Sequence, residues 1–302
     1  LNIFKKAAKT LRVYKIALLA LLFAVLPAHA ERMTSWTFVV SGIVPSSDNW
    51  VHIEQFTAWL GSATGYHFTP LLASSYSELS EEIRYNPHAI GWTCGLPYVE
   101  DHNQYGQRLI AVPLFKGAPV YHSLILAKKN STAHSLRDFR GKAFGYSDPR
   151  SNSGFLAPSL ALKRYVGKKP QEFFKLTMRT GLHENSIRAL RTGAVDVAAV
   201  DEYVWVEYLK QHPEANQEIK EIERFGPFPF TPIVAGSQVT EETIHRLQGA
   251  LSKMLTTPKG RDILQAFGLD GFVIKSDTFY NPIREMLREL GGEKYSANLQ
   301  LE

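Results

Sequence analysis

The sequence predicts an α/β fold built on open, mostly parallel sheets whose faces are covered by helices. Three observations lead there. Apolar runs rich in β-branched residues alternate with segments of helical periodicity over most of the chain. Glycine, proline, Ser and Asx turn chemistry falls between them. At 302 residues and 44% apolar composition, the chain has ample core for one large domain or for two lobes. In such sheets ligands bind at loops beyond the strand carboxyl ends, and two sheets facing each other make a cleft.

Residues 37–44 form a β-rich apolar run ending at Pro45-Ser46-Ser47-Asp48, which supplies a turn and a helix N-cap. The next segment buries Ile53, Phe56 and Leu60 at helical spacing and is expected to stop at Gly61. Ser75-Tyr76-Ser77-Glu78 has capping-box spacing before a short helix through Arg84, and Asn86-Pro87 then turns the chain into a strand at 88–93. Residues 111–115 and 121–127 read as strands around the Lys116-Gly117-Ala118-Pro119 turn, and 142–146 as another. A helix over 155–165 closes at Gly167, a strand follows at 173–178, and a helix over 183–191 buries Ile187 and Leu190 with Gly193 as its C-cap. The strand at 195–200 is apolar enough to be covered on both faces, and Asp201 begins a helix ending before Pro213. Beyond a returning strand at 231–239, Thr240 caps a helix with Ile244, Leu247, Leu251 and Met254 on one face. Two more helices start at Pro258 and at Asn281-Pro282, and 296–302 is expected to fray.

The first thirty residues combine a basic start (Lys5, Lys6, Lys9, Arg12, Lys15), an apolar run over 16–28 and the triplet Ala28-His29-Ala30. That pattern reads as a signal peptide cleaved after Ala30, with an uncleaved anchor as the alternative. The run is shorter than the roughly 20 apolar residues of a spanning helix, and Pro27 interrupts it. The working compartment is therefore expected outside the inner membrane. Five of the 34 Lys and Arg lie in this leader and none of the 29 Asp and Glu does, so the rest of the chain balances to zero. The high isoelectric point supplies no argument for nucleic acid or a membrane surface, and an anion site must be local. The lone Cys94 excludes an internal disulfide, and no Cys/His spacing resembles a zinc site; neither metal nor organic cofactor is expected.

Ser147-Asp148-Pro149-Arg150-Ser151-Asn152-Ser153-Gly154 sets small hydrogen-bonding residues between a strand and a helix. Backbone N–H groups, the helix dipole and the Ser151 and Ser153 hydroxyls can converge there on one anion; a plain turn with an N-cap fits equally well. Gly181-Leu182-His183-Glu184-Asn185-Ser186 stands at a second strand-to-helix junction, where His183 can donate as imidazolium or as a neutral tautomer, and the two loops can share a crevice. Tyr76, Tyr98 and Tyr121 fit core packing as well as ligand contact, Trp92 is assigned to core, and Cys94 to inert packing.

With these motifs in view, the chain resembles the phosphonate-type (PhnD-like) periplasmic substrate-binding proteins of ABC transporters, which share the two-lobed type II binding-protein fold. The resemblance covers most of the chain beyond the leader and rests on Tyr76-Ser77-Glu78-Leu79, Gly91-Trp92-Thr93-Cys94-Gly95-Leu96-Pro97-Tyr98, Tyr121, Asp148 to Gly154, His183-Glu184 and Gly193-Ala194-Val195-Asp196-Val197-Ala198-Ala199. It implies an oxyanion grip on Ser151, Asn152, Ser153 and His183, with Tyr76 and Tyr121 closing from the other side. Asn152 replaces the usual threonine; its amide is expected to donate instead. Family members that bind aminoalkyl phosphonates pair the amine with a carboxylate after the apolar strand, where this chain aligns Tyr203, with Asp201 and Glu202 beside it. If neither carboxylate reaches the cleft, a ligand without an amine is favoured: phosphite, phosphate or a simple alkylphosphonate.

The expectation is thus a monomeric solute-binding component of an ABC importer, with a small oxyanion ligand, a permease partner and no catalytic residues. Ligand contacts are assigned to Tyr76, Tyr98, Tyr121, Ser151, Asn152, Ser153, His183 and Asp201. Lobe 1 is expected to comprise 31–120 and 231–302, and lobe 2 121–230, with crossings near Pro119–Tyr121 and at Arg224-Phe225-Gly226-Pro227-Phe228-Pro229-Phe230. Two alternatives are an extracytoplasmic sensor domain and a hydrolase or transferase using Cys94 or Ser151; for the latter no Gly-x-Ser-x-Gly elbow is present.

Overall fold

A computed structural model describes residues 34–41 and 50–292, which fall in one compact unit. The leader, the Pro45–Asp48 turn and the tail lie outside the described residues. The chain first lays down β1 (Ser35–Val40), α1 (Trp50–Thr64), β2 (His67–Leu72), α2 (Tyr76–Tyr85), β3 (Ala89–Trp92), α3 (Gly95–Tyr105) and β4 (Arg108–Leu114). It then crosses to β5 (Val120–Lys128), β6 (Ala143–Tyr146), α4 (Ala157–Val166), β7 (Leu176–Arg179), α5 (His183–Thr192), β8 (Val197–Asp201), α6 (Glu202–Gln211) and β9 (Ile219–Pro229). It returns through β10 (Ile233–Ala235), α7 (Glu241–Ser252), α8 (Pro258–Ala266), β11 (Gly271–Val273) and α9 (Asn281–Leu290). Among the described residues no helix is long and apolar enough to cross a membrane.

Two sheets result, ordered β11-β4-β10-β3-β1-β2 and β7-β6-β8-β5-β9. In the first, β1 to β4 run one way and β10 and β11 the other; in the second only β5 opposes the rest. The sheets are therefore mixed, with four parallel and five antiparallel pairings among the described residues rather than the mostly parallel order expected; the parallel pairs are those in which helical crossovers carry the chain back to the same edge. Four of the antiparallel pairings involve β5 or β10, the strands that follow a passage between sheets; the fifth joins β11 to β4. All five residues of β8 are buried, as their uninterrupted apolar character requires. The two crossings lie side by side: Val120 pairs with Pro229, Tyr121 with Phe228, and the Phe230 N–H donates to Pro119 at 2.9 Å.

Several local expectations change. Gly61 does not end α1, which continues to Thr64 and stops at Gly65 with φ +78°. A Cβ on Gly61 would stand 2.8 Å from the Tyr66 carbonyl oxygen, so glycine there admits the chain entering β2. The capping box at α2 is displaced by one residue: Ser75 accepts from the Glu78 N–H, but the Glu78 carboxylate accepts from the Ser74 N–H at 2.7 Å. The strand at 173–178 is a helical turn (Pro170–Phe173) followed by β7, and the one at 231–239 shrinks to β10. Edge strands β2 and β9 escaped prediction because their mixed polar and half-exposed residues carry no two-residue period. The proline-rich run expected at the second crossing forms the end of β9 as far as Pro229.

Candidate functional site

The carboxyl end of β6 leads into a π-helical turn, Asn152–Leu156, before α4. Ser151 caps it, its Oγ accepting from the Gly154 N–H at 3.0 Å. The N-cap reading is therefore correct, and it coexists with a buried polar cluster: Ser151, Asn152, Ser153 and His183 are each fully buried, although all carry polar groups. A side chain on Gly154 would put its Cβ 2.6 Å from Ser147 Oγ and 3.2 Å from the His183 ring. Gly154→Ala is accordingly expected to lower the thermal midpoint by several degrees and to weaken ligand binding, read by thermal melts with and without ligand.

His183 opens α5, and its ring faces both loops. Its Nδ1 accepts from the Asp201 N–H at 3.2 Å, and its Nε2 stands 3.2 Å from Ser151 Oγ and 3.3 Å from Ser147 Oγ. Burial pushes its pKa down to about 3, so the ring is neutral at pH 7. An accepting Nδ1 leaves the proton on Nε2, which selects the neutral Nε2–H tautomer from the two protonation forms left open by the sequence. Ser151 Oγ then stands at the meeting point of two N–H donors and retains its own hydrogen to give.

The opposite wall is aromatic and hydroxylic. Asn152 Nδ2 donates one of its two hydrogens to the Tyr121 hydroxyl at 3.0 Å and so orients Tyr121. The Asn152 N–H reaches Cys94 Sγ at 3.4 Å, joining the second sheet's loop to the end of β3. Burial raises the Cys94 pKa and keeps it a thiol, consistent with packing rather than nucleophilic work. Trp92 is core, its Nε1 donating to Thr231 Oγ1 at 3.0 Å.

Four buried polar atoms in this region have no hydrogen-bond partner: Tyr76 Oη, Thr93 Oγ1, Asn152 Oδ1 and Ser153 Oγ. Ser153 Oγ is nevertheless near enough to Asp201 and Tyr121 to favour their ionised forms. An unmet buried polar group costs about 1–3 kcal/mol, so four together mark a place where the protein expects another molecule's polar atoms. Thr93 is the one member that sequence reasoning missed, although it stands in the quoted Trp92-Thr93-Cys94 run.

The remaining assigned residues divide. Asp201 is buried beside Ser153; it caps α6 by accepting from the Tyr203 N–H at 2.8 Å, and burial pushes its pKa up to about 7. Glu202, one residue on, faces away and pairs with Lys116 and His122, both at 2.8 Å. Tyr203 gives its hydroxyl hydrogen to the Phe267 carbonyl at 2.8 Å and packs among Trp92, Phe115 and Phe230. Tyr98 does not join the cluster: its hydroxyl donates to Asp277 at 2.8 Å and its ring packs on Tyr280. Among the described residues no group of three His, Cys, Asp or Glu side chains is placed to hold a metal.

Two α/β sheets joined by paired crossings, with a buried set of neutral donors between them, define a two-lobed solute-binding protein. The chain belongs to the phosphonate family of ABC-transporter periplasmic substrate-binding proteins, whose family model matches residues 42–280. It is 28% identical over 286 residues to the phosphonates-binding periplasmic protein of Escherichia coli K12, covering 90% of this chain and 82% of that one. The fold is similar to a binding-protein component of an ABC phosphonate transporter from Pseudomonas aeruginosa (TM-score 0.79, 24% identity, 89% of this chain and 94% of that one). It is also similar to a Prochlorococcus marinus protein solved with methylphosphonate (TM-score 0.75, 18% identity, 85% and 98% of the two chains).

Proposed function

We propose that this protein binds a small phosphorus oxyanion lacking an amine, such as methylphosphonate, phosphite or phosphate, and delivers it to a membrane permease. The unpartnered hydroxyls of Tyr76, Thr93 and Ser153 carry the reading, Tyr76 and Thr93 coming from the side of the first sheet and Ser153 from that of the second; the unpartnered Asn152 Oδ1 can only accept and suits a protonated ligand oxygen. The Tyr121 hydroxyl, fixed as acceptor by Asn152, has its hydrogen to give, and so has Ser151, whose Oγ accepts from His183 Nε2–H and is thereby oriented as a donor. All these donors are neutral. A buried anion held by hydroxyl groups is stabilised without a cation because each charge-assisted hydrogen bond nets about 1.5–3 kcal/mol in a site shielded from water.

The amine-free preference needed both Asp201 and Glu202 outside the cleft; only Glu202 is. Asp201 instead turns its carboxylate to the α6 N–H groups, and the position of the amine-pairing carboxylate is held by Tyr203, whose hydroxyl is spent on Phe267. These contacts support the preference on a different footing from the one the sequence offered.

In this reading 31–120 with 231–302 form lobe 1, 121–230 form lobe 2, and the mature monomer begins after Ala30 in the periplasm. Lobe closure on the anion is the signal to the permease; no chemistry on the ligand and no nucleic acid is involved. The test is thermal unfolding of residues 31–302 in phosphate-free buffer against phosphate, phosphite, methylphosphonate, 2-aminoethylphosphonate and sulfate. A ligand at about a thousand times its Kd adds ~4 kcal/mol and raises the midpoint by several degrees. A shift with one phosphorus oxyanion is expected; no shift with any of them overturns the reading.

A further inference from the structure

Arg150 lies in the loop that presents Ser151, Asn152 and Ser153, yet its side chain leaves that loop and enters the other lobe. Its Nε donates to Glu100 Oε2 at 2.8 Å, Nη2 to Asp101 Oδ1 at 2.7 Å, and Nη1 to Ser80 Oγ at 2.8 Å and the Tyr76 carbonyl at 3.5 Å. All four partners sit on α2 and α3, which cover the first sheet. The pairs are shielded: the side chains of Arg150, Glu100 and Asp101 are 9%, 13% and 4% exposed. Arg150 is anchored at its base, where its N–H donates to Asp148 Oδ1 and Asp148 Oδ2 accepts from Arg179, both at 2.8 Å.

We propose that the Arg150 guanidinium, held by Glu100, Asp101 and Ser80, is an interlobe clasp that sets how often the cleft opens, and through that how slowly the ligand leaves. The inference rests on the lobe-closure part of the proposed function but not on the identity of the ligand. When the lobes part, Arg150 and the two carboxylates become hydrated, so the clasp acts only in the closed form. Removing the guanidinium leaves Asp101 with Ser80 and Gln107 as neighbours and its charge still buried, a penalty borne by the closed form alone. Truncating one partner of such a pair acts mainly on dissociation. Tyr76 ties the clasp to the site, since its carbonyl accepts from Arg150 while its hydroxyl is one of the unpartnered atoms. Arg150 is a positioning residue; each of its three guanidinium nitrogens donates to α2 or α3.

The chain's one cysteine supplies the readout. Cys94 is fully buried, with its Sγ against the Asn152 N–H of the other lobe, so a thiol reagent reaches it when the lobes separate. With residues 31–302 at pH 7 and no added ligand, Arg150→Met is expected to raise the rate of Cys94 labelling by Ellman's reagent about 10- to 100-fold. Arg150→Met combined with Glu100→Gln and Asp101→Asn removes the stranded charges but not the lack of a clasp, and is expected to label at a rate between those of the wild type and Arg150→Met. Methylphosphonate dissociation measured by stopped flow should accelerate by a similar factor in Arg150→Met, with association changed less than about threefold. Wild-type labelling in Arg150→Met overturns the clasp. Should that variant fail to fold, Glu100→Gln and Asp101→Asn take its place, and wild-type labelling in both overturns it equally. A wild-type protein that binds no phosphorus oxyanion, while Arg150→Met labels faster, sinks the ligand assignment and leaves the clasp standing.

Discussion

His183→Ala is expected to lower the unfolding free energy by about 2–4 kcal/mol at pH 7, and the deficit should shrink as the pH falls. The first part follows from a filled volume lost and an Asp201 N–H left without its acceptor. The second follows from linkage. The wild-type ring resists protonation down to about pH 3, whereas in the unfolded chain it protonates near its ordinary value, so below that value the unfolded state binds the extra proton and wild-type stability drops on acidification. The variant has no such drop, and the difference between the two narrows by about 1.4 kcal/mol per pH unit below roughly 6.5, closing after about 1.5–3 units and reversing beyond that. Asp201→Asn should show the opposite trend. Burial raises the Asp201 pKa to about 7, so the folded protein holds a proton that the unfolded chain releases near pH 4, and wild-type stability falls as pH rises between those values. Asparagine keeps the cap on the Tyr203 N–H without ionising, so this variant gains on the wild type from about pH 4 to 7. Urea unfolding of the three proteins at half-unit pH steps measures both. Parallel profiles would mean that neither group is held away from its ordinary titration.

A second expected result concerns discrimination. On the proposed reading, in which Tyr203 with its committed hydroxyl stands in place of an amine-pairing carboxylate, 2-aminoethylphosphonate should bind about a hundredfold more weakly than methylphosphonate, the equivalent of about 3 kcal/mol for burying an unpaired ammonium. Tyr203→Glu should narrow that gap by at least tenfold, because a carboxylate then stands at the position. Titration calorimetry of both ligands against both proteins decides it. Equal affinities in the wild type would show that Asp201 accepts the amine after all.

The parts of the site legible in the sequence are those with local causes. Ser151 to Gly154 announces itself through turn chemistry at a strand-to-helix junction, and His183 through its place at the next such junction. Tyr98 could not be placed this way, because its direction is fixed by Asp277, 179 residues further along the chain. Asp201 and Glu202 are neighbours in sequence, yet one ends a strand and the other begins a helix, and that change of periodicity sends their carboxylates to different surroundings. Arg150 was visible as one letter of a motif; its partners on α2 and α3 exist only once the lobes meet. The fold class was readable because strand and helix periods are local, whereas β2 and β9 are strands by virtue of the neighbours they pair with.

The adjacent crossings β5 and β9 have a mechanical meaning. A single tether between lobes would allow twist, slide and swing in any direction. Two strands hydrogen-bonded along their length form a ribbon, which bends readily across its face and resists shear in its own plane. The lobes are thereby restricted to something near a single angular coordinate, and every approach of one to the other follows the same arc. A permease that must distinguish a loaded carrier from an empty one then meets one reproducible arrangement of two surfaces, whichever small anion lies inside.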